Sequence, residues 1–493
     1  MSRKLILYFS IFVVLNFSSS ASDFNKEVKS QLDLIFSDPS FERAFWGVKV
    51  VSIDSGEILY QKNPDKLFMP ASNMKLITSI AAIENFGLDY TFRTEVLSDG
   101  RIEDGTLKGD LVIRGSGDPL IGARLNSPDS LNALKGNPLA VFENWAEQLN
   151  DLGIRRIEGN IVGDDDLMDD EPLGNGWTWD NLPYGYSAEI GALQFNENIV
   201  WIELSTGRNA GEPVRYRLIP ETDYLEVKVE IETVGETDEW EVEIERGVNN
   251  KFTFKGTMPV NIQSDVLSIA IQNPTSFFIH VLHETLEKKG INVKGVPIDR
   301  DDLKNFANRE YQTLFVHESP PLRKILTILL KNSQNLYAET LFKLLDRGDS
   351  QKSFENGLGF VESFLTRIGI PDDAYNISDA SGLSRYNLLT PDLLIRLLQY
   401  SYRTEYREDF IDMLPIGGVD GTIRNRMKRT SAESNVRAKT GSISFVRALS
   451  GFVETQDGEV LAFSMIANHF TQSRRTAEYI QDSALHYLAS LKR

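Results

Sequence analysis

The chain has no cysteine among its 493 residues and only five histidines, His280, His283, His317, His469 and His486. Without cysteine there are no disulfides, thiolate nucleophiles, cysteine-held zinc or lipid anchor on an N-terminal Cys. The scarcity of histidine, with no His-Glu-x-x-His pair, leaves little room for histidine-based hydrolysis. Basic residues are outnumbered 52 to 71, for a net charge of −19. That balance disfavours a nucleic acid or an anionic lipid surface as main partner. After the first 22 residues no apolar run approaches the roughly 20 residues that cross a bilayer, so no transmembrane segment is expected in the mature chain. What is present is an ordinary globular balance, 41% hydrophobic and 25% charged. The length exceeds one compact core at about 100–200 residues per domain, so two or three units are expected.

The first segment reads as a sorting signal. Arg3 and Lys4 precede an apolar run from Leu5 to Phe17, and small residues follow up to Ala21. This is the pattern of a secretory signal peptide over residues 1–21, too short for a membrane anchor. It predicts an exported protein, periplasmic or otherwise extracytoplasmic and wall-associated.

Beyond it, residues 24–36 carry a helical pattern, and residues 47–53 and 57–61 flank the turn Asp54-Ser55-Gly56. Residues 72–86 read as a buried helix stopped by Gly87. From about 89 to 305 short alternating strands dominate, at 91–96, 107–114, 156–163, 199–205, 214–218, 225–234, 240–246 and 251–257. Helical patterns interrupt them near 139–152 and 275–289. From about 306 helices return at 322–331, 336–345, 354–368 and 391–400, followed by strands at 437–444, 447–455 and 459–468 and a last helix from about 474 to 491. The chain ends are alike in style. The expected fold is α+β and multidomain: a catalytic part from 22–88 plus 306–493, an inserted domain from 89–196 plus 263–305, and a nested β-rich domain over 197–262.

Three short motifs carry chemistry. Ser72-Asn73-Met74-Lys75 opens a helix, and residues three apart share a helical face, so hydroxyl and amine meet. A lysine there, partly desolvated beside Phe68-Met69-Pro70 and an apolar helix, can take the hydroxyl proton. Alone, the motif is more often a helix cap and a surface lysine. Ser333-Gln334-Asn335 falls between two helices, where its serine can shuttle a proton and its asparagine can orient Lys75; alone it is a helix cap. Lys439-Thr440-Gly441-Ser442 falls on a strand. Its glycine admits a close backbone, and its lysine and hydroxyls suit a carboxylate; alone it is an edge strand with a bulge.

In this order and context the three motifs resemble the penicillin-binding-protein and serine β-lactamase fold. The closest likeness is to the low-molecular-mass class C D-alanyl-D-alanine carboxypeptidase/endopeptidases of peptidase family S13. Gly115-Ser116-Gly117-Asp118-Pro119, Gly159 to Asp164, Trp177 to Asn196, Asp379 to Arg385 and Leu414 to Thr422 support it, and the likeness covers nearly all of the mature chain. Compact relatives have a much shorter gap between the first two motifs; here the β-rich region fills it. The resemblance implies an antiparallel sheet flanked by helices, with Ser72 as acylated nucleophile, Lys75 as base, Ser333 as proton relay and Asn335 positioning. Lys439 and Thr440 would bind the terminal carboxylate. The N–H groups of Ser72 and Ser442 would form the oxyanion hole beside Gly441, and Ser381, Gly382, Leu383 and Ile443 would line the groove. It implies peptidoglycan peptides as substrates, β-lactams as covalent inhibitors, and no cofactor or metal. Gln334 stands where relatives often have Asp, which changes the charge expected near Lys75, and Ala380 where they often have Gly.

Other features have plain readings. The acidic run from Asp164 to Glu171 suits a solvated loop better than a cation site. Asp180 could face an amino group of a stem peptide. His280 and His283 look like packed residues. Two rival functions stand beside the main one. A serine β-lactamase needs rapid deacylation, and no Glu-x-x-Leu-Asn motif for activating that water occurs between Ser333 and Lys439. A non-catalytic wall-binding protein would use the inserted domains alone.

Overall fold

The computed structural model describes residues 21–123, 136–304, 306, 309–346, 348 and 350–492. The signal-peptide assignment lies outside these residues apart from Ala21, which begins the first helix (Ala21–Ile35). The fold is α+β with several sheets, as expected.

Both chain ends build one five-stranded antiparallel sheet. Its order is Ile58–Lys62, Phe45–Ser52, Val460–Asn468, Val446–Glu454, Arg437–Ile443. Side chains alternate across the sheet, so each strand feeds two cores. On one face Leu449, Phe463 and Met465 pack with Val28 and Leu32 of the first helix and Leu485 of the last (Arg474–Ala489). On the other, Ala448, Phe452 and Ile466 pack on a layer of helices. Central in that layer is Met74–Phe86, whose residues from Met74 to Ile83 are all buried. A helix apolar on every side belongs inside a core, which makes its N-terminus a rigid mount. Gly87, at φ +79°, ends it with its N–H on the Ile83 carbonyl. Leu322–Asn332, Asn335–Lys343 and Pro391–Tyr402 surround it.

The β-rich region holds two sheets that share two stretches of chain. Residues 107–114 and 156–163, each expected as one strand, are both divided. Thr106–Leu107 pairs with Arg156–Ile157 in a small four-stranded sheet, and Leu111–Arg114 pairs with Ile161–Asp164 in a five-stranded one. The break has a steric cause: a Cβ on Gly159 would meet the Gly109 carbonyl oxygen at 2.4 Å and an Asp110 carboxylate oxygen at 2.3 Å. The glycines let the two stretches change sheet side by side.

Two of the strands that were not foreseen fall beyond the expected domain edges. Gln312–Glu318 pairs with Arg93–Ser98, so the inserted sheet reaches past residue 306. It is an edge strand with no buried face, which erases the alternation by which strands are read. Ser264–Ala270 pairs with Ile199–Ser205, carrying the nested sheet past residue 262. The other nested sheet has the order Glu226–Val234, Lys251–Pro259, Glu241–Arg246.

The acidic run is held by cations of the protein. Asp164 accepts from Arg114 at 3.0 Å and Arg300 at 2.7 Å, Asp166 pairs with Arg300, and Asp169 pairs with Lys343. His280 packs its ring against Tyr224, and its Nε2 lies 2.5 Å from Asp223 Oδ1 and 3.4 Å from Glu284 Oε1. Hydrogen bonds to Glu284 and Asp223 raise its pKa above the ordinary histidine value.

Candidate active site

Ser72 sits in a single 3-10 turn (Ala71–Asn73) that runs directly into the buried helix. Ala71 is left-handed at φ +46°, which turns the chain sharply before the serine. Two glycines hold that turn from either side. A Cβ on Gly382 would come within 1.9 Å of the Ala71 carbonyl oxygen, and one on Gly441 within 2.4 Å of the Pro70 oxygen. Gly382 also has φ +85°, a conformation side chains resist. Asn73 ties the turn to the strand behind: its Nδ2 donates to the Lys439 carbonyl at 2.8 Å, and its Oδ1 accepts from Ser450 Oγ at 2.6 Å.

Lys75, one turn along, is wholly buried and donates to three neutral oxygens: Ser72 Oγ at 3.0 Å, Asn335 Oδ1 at 2.6 Å and the Ser381 carbonyl at 2.6 Å. Burial brings its pKa down to about 7, against the opposing pull of the Asp379 and Glu339 carboxylates. Neither carboxylate is a hydrogen-bond partner of the amine. Glu339 accepts from the N–H groups of Ala380 at 3.0 Å and Ser381 at 2.9 Å, and burial pushes its own pKa up to about 8. Asp379 accepts from Gly382 N, Ser384 N, Asn387 Nδ2 and Trp177 Nε1. These buried acids shape the loop that carries Ser381 and Gly382 and leave the amine poised to lose its proton near neutrality.

Ser333 closes the Leu322–Asn332 helix in the left-handed region at φ +59°, and Gln334 caps the next, so the sharp break presents the Ser333 hydroxyl outward. Lys439 Nζ donates to that hydroxyl at 2.8 Å; burial and the nearby Lys75 charge hold its pKa well below the ordinary lysine value. Asn335 Nδ2 donates to the Tyr186 carbonyl at 2.6 Å, which joins the inserted region to the site and fixes the amide with its oxygen toward Lys75. Thr440 Oγ1 donates to Thr422 Oγ1 at 2.8 Å.

A cleft of about 630 Å³ opens over these groups, lined by Ser72, Ser333, Asn335, Gly382, Leu383, Thr440, Gly441, Ser442 and Ile443. Lys75 and Lys439 lie buried beneath it. All eight residues expected of the site therefore meet, from three separate stretches of chain. Gln334 is not a charge neighbour of Lys75; Glu339 and Asp379 are. Sequence reasoning missed these two acids, Asn73, and the wall formed by Thr178, Asn181 and Tyr186. Asp379 stood inside a stretch already quoted for the family likeness, and an acid flanked by Ser, Gly and Asn donors was the available signal. Asp180 is not among the lining residues, though its neighbour Asn181 is.

A serine hydroxyl bonded to a buried lysine, faced by a second serine–lysine pair at a sheet edge, defines a serine acyl-transfer hydrolase of the penicillin-binding-protein and β-lactamase fold. Comparison with known proteins narrows this. Residues 28–489 match the D-Ala-D-Ala carboxypeptidase 3 (S13) family. A D-alanyl-D-alanine carboxypeptidase of Actinomadura sp. (strain R39) is 32% identical over 461 residues, covering 90% of this chain and 81% of the relative. The D-alanyl-D-alanine carboxypeptidase DacB of Haemophilus influenzae is 28% identical, covering 85% of this chain and 84% of the relative. The crystal structure of penicillin binding protein 4 (dacB) from the same organism aligns with a TM-score of 0.80 at 26% identity, over 94% of this chain and 99% of that one. The chain belongs to the S13 family and is a serine-type D-Ala-D-Ala carboxypeptidase.

Proposed function

We propose that this carboxypeptidase is exported and trims peptidoglycan stem peptides by two-step acyl transfer at Ser72. Neutral Lys75 takes the hydroxyl proton as Ser72 Oγ attacks the carbonyl of the penultimate D-alanine. The N–H groups of Ser72 and Ser442 hold the resulting oxyanion, an effect commonly worth about 3–4 kcal/mol per donor. Ser333, bonded to Lys439, passes a proton to the departing nitrogen and recovers the one Lys75 took, which leaves Lys75 neutral; the C–N bond breaks and D-alanine leaves with its carboxylate on Lys439 and Thr440. Water then attacks the ester; Lys75 takes its proton and returns it to Ser72 Oγ as the ester C–O bond breaks, which frees the shortened peptide. β-Lactams would acylate the same oxygen; a structural relative from H. influenzae has been seen complexed with a β-lactam. Cross-linked peptides fit the same chemistry, which makes endopeptidase action part of the proposal.

The observation that carries this reading is the 3.0 Å contact from Lys75 Nζ to Ser72 Oγ, with no carboxylate bonded to the amine. Export is supported by the basic, apolar and small-residue pattern of residues 1–21. For domain organisation we propose the division given above with two edges moved: the insertion runs to Glu318 and its nested part to Ala270. The test is release of D-alanine from a stem pentapeptide. Wild type should release it and Ser72→Ala should not; equal release by both would overturn the assignment.

A further inference from the structure

The catalytic cleft does not end at Thr440. Its lining continues without a break to Arg447, Arg474, Arg475 and Glu478. Thr440 and Ser442, two apart on a strand, share a face, and Arg447 is the cross-strand partner of Ser442. This arginine shelf therefore extends the face that carries the Thr440 hydroxyl.

The shelf is short of negative charge. Arg447 donates from Nη1 to two carbonyls of its own hairpin, Ile443 at 3.0 Å and Val446 at 2.6 Å. Its Nε is buried with no hydrogen-bond partner, and the nearest carboxylate, Glu478, is 3.7 Å away, beyond bonding distance. Burial lowers its pKa against the pull of the Glu478 carboxylate, and the Arg474 and Arg426 charges press in the same direction as burial. Arg426, by contrast, is satisfied by Asp482 at 2.6 Å. Arg474 and Arg475 are exposed and make no ion pair with a described residue. They occupy the first turn of the last helix, which holds no acidic residue and where the helix dipole disfavours cations. A buried N–H that makes no hydrogen bond and only a long ion pair, and two cations at a helix N-terminus, meet at the rim of a catalytic cleft in a chain of net charge −19. Such local costs are expected where a ligand repays them.

We propose that Arg447, Arg474 and Arg475 form an anion subsite on the leaving-group side, which holds a second carboxylate of a departing peptide larger than D-alanine. The ligand class is the second stem of a cross-linked pair: a single D-alanine ends at Lys439 and Thr440 and offers nothing to the shelf. The inference rests on the acyl-transfer reading and gives it a substrate preference.

The test compares kcat/KM for a cross-linked muropeptide dimer with kcat/KM for an uncross-linked pentapeptide. It uses wild type, Arg474→Glu/Arg475→Glu, and a charge-matched control, Lys251→Glu/Lys255→Glu, on the outlying sheet. Penicillin acylation of each variant reports an intact catalytic centre. The dimer-to-pentapeptide ratio should fall on the order of tenfold in the shelf variant, given the modest strength of exposed charge pairs, and stay level in the control. It should also fall in wild type as salt rises. An unchanged ratio, an equal fall in the control, or a wild type that leaves dimers intact while releasing D-alanine would overturn the subsite. A wild type that acts on neither substrate and takes up no penicillin would instead sink the acyl-transfer reading, and the subsite with it.

Discussion

Lys75 is the residue on which the chemistry turns. Its amine meets three neutral oxygens in a fully buried setting, and its pKa falls to about 7. The working form is the neutral amine, so acylation should speed up as pH rises and the ammonium loses its proton. We expect kcat/KM for acylation to rise with a midpoint near pH 7. Lys75→Arg, which keeps the charge and cannot release it, should lose about 10²–10⁴-fold. Stopped-flow measurement with a chromogenic β-lactam from pH 5 to 9 checks both; a flat profile, or an active arginine variant, contradicts the role. At this scale the sequence was informative because reacting groups come in fixed spacings. Ser72 and Lys75 share a helix face by their three-residue interval, and Lys439 is set by its strand. Glu339 was not legible, since an acid in a helix carries no mark of becoming the buried neighbour of an amine, and the one mark on Asp379 was the Ser, Gly and Asn donors near it in the chain.

Among elements, the decisive contact is backbone on backbone. The strand bearing Gly441 and the loop bearing Gly382 close on the turn that holds Ser72, at distances no Cβ tolerates. Gly382→Ala meets both a 1.9 Å clash with the Ala71 oxygen and a left-handed φ, whose strain alone costs about 1–3 kcal/mol. It should slow penicillin acylation by more than tenfold and lower the melting temperature. An alanine variant that acylates at the wild-type rate would contradict the packing. Ala380, next in the same loop, is not in the left-handed region, which explains why a glycine is dispensable there. The outer helices were readable because one side is buried and keeps its period, and the strands at 446–454 and 460–468 because they are apolar runs buried on both faces and bounded by turn residues. Gln312–Glu318 was not, since its partners hide neither face fully. The strands at 107–114 and 156–163 were read too long because a change of sheet at Gly109 and Gly159 leaves the apolar pattern uninterrupted.

For the whole molecule, the stretch that carries Trp177 and Tyr186 is part of the site rather than a passenger. The Tyr186 carbonyl fixes Asn335, and Trp177 Nε1 donates to Asp379 at 2.9 Å, linking the insertion to the loop that positions Ser381 and Gly382. Trp177→Phe removes one of four donors to a buried carboxylate, which should cost about 1–3 kcal/mol. Denaturant unfolding should show that loss together with slower acylation; an unchanged variant would mean the insertion is only tethered. These long-range links could not be read from the chain, because nothing local pairs Trp177 with an acid some two hundred residues later. The most direct test of the account is intact-protein and peptide-level mass spectrometry after exposure to benzylpenicillin. The account predicts one penicilloyl adduct, mapped to Ser72 and absent in Ser72→Ala. An adduct on another residue, or none on a folded wild-type protein, would contradict it.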